Sequence, residues 1–277
     1  MTVGIVGLGL IGGSFAKALK SFTDHTVYGC DTDAAVQDFA VYMNVIDGVL
    51  DKKTLHECDY VLVSIFPAAA IAWIKQHAEE IKKGAIVVDC CGVKQVVCEK
   101  CFPTAQENGF IFIGGHPMAG YHKSGLKYSR DTLYKGASMI LVMPDTEDIA
   151  LLSSVTKFFK ELGFGSVTVT DAQTHDKNIA FTSQLAHVVS NAYVKSPQAK
   201  VHKGFSAGSY KDLTRVAYLN EEMWTELFMD NRKYLKDEID HIIKELKKYS
   251  DALAAGDADT MKALLKDGKV RKESIDK

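Results

Sequence analysis

Val3-Gly4-Ile5-Val6-Gly7-Leu8-Gly9-Leu10-Ile11-Gly12 opens the chain, and Ser14-Phe15-Ala16-Lys17-Ala18-Leu19 follows it. The first four residues read as a short buried strand, the last six as a helix. Three glycines in the spacing G-x-G-x-x-G join them. A second apolar run, Val27-Tyr28-Gly29-Cys30, ends on Asp31, 19 residues beyond Gly12. Strand, glycine loop, helix, strand and acid, in that order, form the dinucleotide-binding fingerprint. The first two glycines allow a tight turn and close approach of a pyrophosphate, and the third lets helix and strand pack closely. The helix then aims its free N–H groups at the phosphates. The expected cofactor residues are Gly7, Gly9, Leu10, Ile11, Gly12, Asp31 and Ser64. A carboxylate at Asp31 accepts from ribose hydroxyls and repels a 2′-phosphate, so the sequence predicts NAD rather than NADP.

The next segments extend this unit. Tyr60-Val61-Leu62-Val63-Ser64-Ile65, Ala85 to Asp89, Phe110 to Gly114, Ser138 to Val142 and Ser166 to Thr170 read as further strands separated by helices. The expectation is a doubly wound α/β domain over residues 1–170. Gly7, Asp31, Ser64, Asp89 and His116 fall at or just past the carboxyl ends of strands, where such sheets bind ligands. After Thr170 the periodicity is helical and no strand is expected. Asp171 is placed to cap a long helix starting at Ala172. Leu227 to Tyr249 reads as one amphipathic helix and Ala252 to Leu265 as another. The predicted architecture is therefore a Rossmann-like domain followed by an all-α domain over residues 171–277, with substrate in the cleft between them.

Composition excludes several classes. The 277 residues are 47% hydrophobic and 25% charged, with a formal net charge of -2. That balance carries no polycationic footprint for nucleic acid. No apolar run approaches the ~20 residues of a membrane helix. With no basic leader before the first strand, the cytoplasm is the expected compartment. All six cysteines lie in the first 101 residues. Cys98-x-x-Cys101 lacks a second pair of suitable spacing, so no metal is expected and the thiols read as reduced.

Four positive or titratable side chains stand out. His116 precedes Pro117 directly after a strand; it is either a proton acceptor at the mouth of the cleft or a structural histidine. His187 lies in an apolar helix one turn beyond Ser183, as a core histidine or a site residue. Arg215 needs an anion, supplied either by a carboxylate such as Asp212 or by a substrate. His175 lies 12 residues before His187, about 18 Å along a continuous helix. Its expected place is the domain junction or the rim of the cleft.

Taken together, these motifs resemble the prephenate dehydrogenase family, also called the arogenate or cyclohexadienyl dehydrogenases. The resemblance runs nearly end to end. It includes the glycine motif, Asp89 with Gly92-Val93-Lys94, Gly115-His116-Pro117-Met118-Ala119-Gly120 and Lys123-Ser124-Gly125. It continues through His175-Asp176, Ser183-Gln184-Leu185-Ala186-His187, Gly204 to Ser209, Asp212 to Ala217 and Met223-Trp224. It implies NAD-dependent oxidative decarboxylation of prephenate, with His116 as proton acceptor and Arg215 and His187 holding the substrate. It also implies a homodimer built on the helical domain; with the Rossmann strand first and only 62 helical-reading residues after Arg215, no fused mutase or regulatory ACT domain is expected.

Two departures from the family pattern matter. Many relatives carry serine, bonded to the catalytic histidine, where this chain has Gly92. His116 must then be oriented by another group. Many relatives also carry Thr-Glu where this chain has Tyr121-His122. These two side chains are expected to face the substrate, and the lost acid favours prephenate over arogenate. The rival readings are a β-hydroxyacid or 6-phosphogluconate-type dehydrogenase, or a non-catalytic NAD-binding sensor.

Overall fold

The computed structural model describes residues 1–121, 123–145 and 147–276. Strand β1 (Thr2–Val6) leads through the glycine loop into helix α1 (Leu10–Phe22). The first half then alternates β2 (Thr26–Cys30), α2 (Ala34–Tyr42), the short β3 (Gly48–Val49), α3 (Lys52–Leu55), β4 (Tyr60–Val63), α4 (Pro67–His77), β5 (Ile86–Asp89) and α5 (Gln95–Asn108). It closes with β6 (Ile111–Pro117), β7 (Ser138–Val142), α6 (Ile149–Glu161) and β8 (Ser166–Val169). The sheet order is β3-β2-β1-β4-β5-β6-β7-β8.

The sheet is buried on both faces, which explains its nearly continuous apolar strands. Tyr60 and Leu62 join one core cluster with Phe15, Leu19, Tyr134 and Phe159, whereas Val61 and Val63 join the other with Ile74, Val97 and Cys101. This is period-two alternation with an apolar layer on each side. Cys98 and Cys101 are thus buried core residues of α5.

Three details depart from the sequence expectation. β7 runs antiparallel to β6 in an otherwise parallel sheet. No crossover helix separates these two strands, so the chain returns along the strand it has just left. β6 also extends beyond Gly114, and His116 and Pro117 lie inside it, with His116 opposite Ile140. β3 was not anticipated, because two residues carry no periodic pattern.

The connection from β6 to β7 docks on α1. Lys17 Nζ donates to the Ser129 carbonyl at 2.9 Å, and Arg130 N–H donates to Ser14 Oγ at 3.0 Å. Tyr134 OH donates to the Ile11 carbonyl at 2.6 Å, and its ring stacks on Phe15 with centroids 4.2 Å apart. The segment that follows His116 is therefore anchored beside the glycine loop.

Beyond Asp171, whose side chain accepts from Thr174 N–H, the described chain is helical. It comprises α7 (Ala172–Ile179), a π-helical turn (Ala180–Leu185), α8 (Ala186–Tyr193), α9 (Gly208–Thr214), α10 (Glu221–Asp230), α11 (Arg232–Ala255) and α12 (Ala258–Ile275). The helix expected over Leu227 to Tyr249 is broken at Asn231. That residue leaves helical geometry and buries its amide, donating to the Asp176 carbonyl and to Gln184 Oε1, both at 2.8 Å. The expected start at Ala252 is also displaced, because α11 continues to Ala255 and ends at Gly256, which adopts φ +65°. Among the described residues no helix is long and apolar enough to cross a membrane.

Candidate active site

The carboxyl ends of β1, β2, β4, β5 and β6 share one edge of the sheet. At β1, Gly7 adopts φ +85°, and a Cβ there would run into Ile65 and the Ser64 carbonyl. A Cβ on Gly12 would collide with the Gly7 carbonyl. These contacts hold the loop tightly over the end of the strand. Gly9, in contrast, faces open space and leaves room for a ligand against the backbone. It is also the N-cap of α1, which has no side-chain cap and no acid in its first turn, so the N–H groups near Leu10 and Ile11 are available to an anion.

Asp31 follows β2 and accepts from Leu8 N–H at 2.8 Å and from Asp33 N–H at 3.0 Å. The acid is thereby fixed to the glycine loop itself. Ser64 follows β4, and its hydroxyl is buried beside the Cys90 thiol, with no oxygen or nitrogen partner among the described residues. An open glycine, an uncapped helix, an anchored acid and a buried hydroxyl along one sheet edge fit a dinucleotide.

His116 lies near the end of β6, half-buried. Its Nδ1 is 2.9 Å from Nε2 of His175. His175 Nδ1 is in turn 2.7 Å from Asp176 Oδ1. Asp176 also accepts from the N–H groups of Lys94 at 2.7 Å and Gln95 at 2.9 Å, and so caps α5, which has no cap of its own. Beneath His116, Lys94 is fully buried; it donates to Asp89 and, at 2.6 Å, to the Gly115 carbonyl. Asp89 accepts from Cys91 N–H and Gly115 N–H.

Burial, then the neighbouring His175 ring and Lys94, push His116 well below the usual 6.5. Burial also lowers His175, more than the bond to Asp176 raises it. Burial is the largest influence on Lys94 and lowers it, but the Asp89 charge, the Cys91 and Cys98 thiols and the hydrogen bond to Asp89 together raise it above the usual 10.5. His116 is therefore a neutral imidazole at neutral pH, as a proton acceptor must be.

α10 crosses over this group. A Cβ on Gly92 would sit 3.4 Å from Leu227 and 4.0 Å from His116 Nε2. One turn earlier, Trp224 stacks on His187 with centroids 4.1 Å apart. His187 Nδ1 donates to the Ser183 carbonyl at 2.8 Å, and burial, opposed by that bond and reinforced by the Arg215 charge, lowers its pKa. Arg215 is exposed, and among the described residues no carboxylate pairs with it, Asp212 included. On α10, Glu226 accepts from Ala68 N–H at 2.6 Å and holds the start of α4. Tyr121 is exposed, with the Arg130 guanidinium 5.9 Å from its ring centroid. His122 lies outside the described residues.

The expected site residues thus fall into three groups: the cofactor edge, His116 with its buried partners, and His187 with Arg215 and Trp224. His175 takes the first of its two expected places, the junction of the sheet and the helical half, where it is buried against His116 rather than set on the rim of the cleft. Asp176 and Lys94 were legible only as parts of family motifs, whereas Asp89 was already placed at the end of a strand. An apolar strand ending in Asp89 with a lysine five residues on was the available signal.

Comparison with known proteins identifies the family. The family model described as prephenate dehydrogenase, nucleotide-binding domain, matches residues 15–169, and the one described as prephenate dehydrogenase, dimerization domain, matches residues 171–267. The chain belongs to the prephenate dehydrogenase family. A cyclohexadienyl dehydrogenase of Zymomonas mobilis is 32% identical over 93% of this chain and 90% of its own length. A prephenate dehydrogenase of Bacillus subtilis is 26% identical over 99% of this chain and 76% of its own. Among solved structures, the prephenate dehydrogenase of A. aeolicus in complex with hydroxyphenyl propionate and NAD+ superposes with a TM-score of 0.86 at 28% identity, covering 99% of this chain and 98% of that one. A 3-hydroxyisobutyrate dehydrogenase of Mycobacterium tuberculosis shares the fold alone, with a TM-score of 0.56 at 15% identity over 79% of this chain and 71% of that one.

Proposed function

We propose that this member of the prephenate dehydrogenase family is an NAD-dependent enzyme that oxidatively decarboxylates prephenate to 4-hydroxyphenylpyruvate. The observation that carries the reading is the imidazole of His116, held by His175 at the same sheet edge as the open glycine loop. Residues 1–170 would bind the cofactor through Gly7, Gly9, Leu10, Ile11, Gly12, Asp31 and Ser64. Residues 171–277 would bind substrate and form a homodimer. The chain's expected place of work is the cytoplasm.

NAD, when bound, takes up the hydride that leaves the hydroxyl-bearing ring carbon. His116 Nε2 accepts the proton of that hydroxyl. The carboxylate on the opposite ring carbon leaves as carbon dioxide, and its bonding electrons complete the aromatic ring. Arg215 is free to pair with a substrate carboxylate, and His187, held by Ser183 and Trp224, lines the same region. Trp224 and Leu227 of α10 help keep water from the imidazole.

The preference for prephenate over arogenate rests on Tyr121-His122 replacing Thr-Glu. Neither side chain offers an anion to an α-ammonium group, and Arg130 adds a cation beside Tyr121. Exposed Phe181, Tyr193, Val201 and Phe205, the last 93% accessible, support a covered helical surface and hence the dimer. The test is NADH formation with prephenate, arogenate and 3-hydroxyisobutyrate. Turnover of prephenate with the highest kcat/KM is expected. Turnover of only the 3-hydroxyacid overturns the reading, and a preference for arogenate overturns the substrate assignment.

A further inference from the structure

Gly92 leaves His116 without the serine hydroxyl that orients the histidine in many relatives, and the helical half of the chain supplies a different device. We propose that His175 and Asp176 are positioning residues that fix His116 in the tautomer carrying its proton on Nδ1, so that Nε2 presents a lone pair to the substrate hydroxyl. The proposal rests on the assignment of His116 as proton acceptor and explains how that acceptor is prepared.

The direction of each hydrogen bond follows from its end. Backbone N–H groups of Lys94 and Gln95 can only donate, and they engage Oδ1 and Oδ2 of Asp176 respectively. The carboxylate also meets His175 Nδ1 at 2.7 Å, and that nitrogen must be the donor. A neutral His175 donating from Nδ1 keeps its lone pair on Nε2. That lone pair faces His116 Nδ1 at 2.9 Å, so His116 donates there. The remaining nitrogen, Nε2, lies on the side of Gly92 and Leu227 and carries no proton.

The surroundings keep both rings neutral. The charged groups facing the pair are Asp176 on α7, Lys94 at the start of α5 and Asp89 at the end of β5, with Asp89 and Lys94 neutralising each other. The other residue meeting this group, Asn231 at the head of α11, is uncharged and binds the Asp176 carbonyl. Protonating His175 would set two donors against each other at 2.9 Å, and protonating His116 would fill Nε2, the nitrogen that must accept. The chain pays for this arrangement with four buried polar side chains, Lys94, His175, Asp176 and Asn231, at a helix junction where apolar residues would pack.

The first test is the tautomer of His116 by 15N NMR of the full chain at neutral pH, assigned with a His116→Gln variant. An isolated neutral imidazole favours the proton on Nε2. The expected spectrum shows His116 protonated at Nδ1 with an unprotonated Nε2. A His116 protonated at Nε2 overturns the proposal, whatever the substrate proves to be.

The second test compares two substitutions at position 175. His175→Phe keeps the ring shape and removes the acceptor, whereas His175→Gln retains a carbonyl oxygen within reach of His116 Nδ1. With the substrate that wild type turns over, the phenylalanine variant should lose kcat by about tenfold or more with little change in KM for NAD. The glutamine variant should recover most of the loss. In the phenylalanine variant the acid limb of kcat/KM should move to higher pH, because the ring that depresses His116 is gone. Wild-type kcat and an unmoved acid limb in that variant contradict the proposal. If phenylalanine prevents folding, the wild-type spectrum and the glutamine variant still decide. A protein that turns over no cyclohexadienyl substrate but shows the Nδ1 tautomer leaves the positioning intact and refutes only the assigned reaction.

Discussion

Leu227 lies directly over Gly92: a Cβ at position 92 would stand 3.4 Å from the leucine and 4.0 Å from His116 Nε2. This contact brings α10 of the helical half onto the loop after β5. It also leaves room for the Cβ of the serine that many relatives carry. Gly92→Ser should therefore fold, with a stability change below ~1 kcal/mol, since ordinary van der Waals contact awaits the new atom. Its kcat should remain within about threefold of wild type, because the base is already oriented from its other nitrogen. A large rise in kcat on adding the serine would mean that wild-type His116 is poorly held.

His116→Asn removes the proton acceptor and leaves the glycine loop untouched. It should lower kcat by ~10²-fold or more while NAD affinity stays near wild type. Steady-state kinetics and cofactor titration check both halves. Turnover at the wild-type rate would exclude His116 as the acceptor.

Arg215 is exposed and has no ion-pair partner among the described residues, so removing its charge should not unfold the protein. Arg215→Gln should chiefly raise KM for the cyclohexadienyl substrate, by about 30-fold for the ~2 kcal/mol of a charge-assisted bond. An unchanged KM, or a fall in Tm of many degrees, would contradict the assignment.

Asp31 is fixed by Leu8 N–H, with its carboxylate where ribose hydroxyls would arrive. Wild type should prefer NAD over NADP, and Asp31→Ala should narrow that gap, weakening NAD by roughly tenfold. Equal efficiency with both cofactors in wild type would refute this reading of the acid.

The histidines give a stability signature. His116, His175 and His187 have folded pKa values below the usual 6.5, so the unfolded chain binds protons that the folded chain refuses. Stability therefore rises with pH and is lost as pH falls from 6.5 toward the folded values. Carboxylates held low, such as Asp47 and Asp59, act only below their usual 3.8. Tm measured between about pH 7.5 and 5 should fall on the acid side. A flat profile over that range would show that these rings are not buried neutral.

Much of the fold could be read along the chain because its signals are local. The glycine loop, the two-sided alternation of Tyr60 to Val63, Asp31 at the end of β2 and Asp171 at the head of α7 each act within a few residues of themselves. Sterics, N–H geometry and side-chain period decide such features before any distant contact forms. Periodicity reports which face of an element is buried, but not what it meets. The antiparallel β7 required a strand partner across the sheet edge. The break at Asn231 answered to Asp176, 55 residues away, and His116 found His175 at a separation of 59. Cofactor edge and candidate base were therefore determined by sequence, whereas the group that prepares the base arose only when the helical half packed on the sheet, because a buried hydrogen bond is chosen by the partners that packing brings within 3 Å.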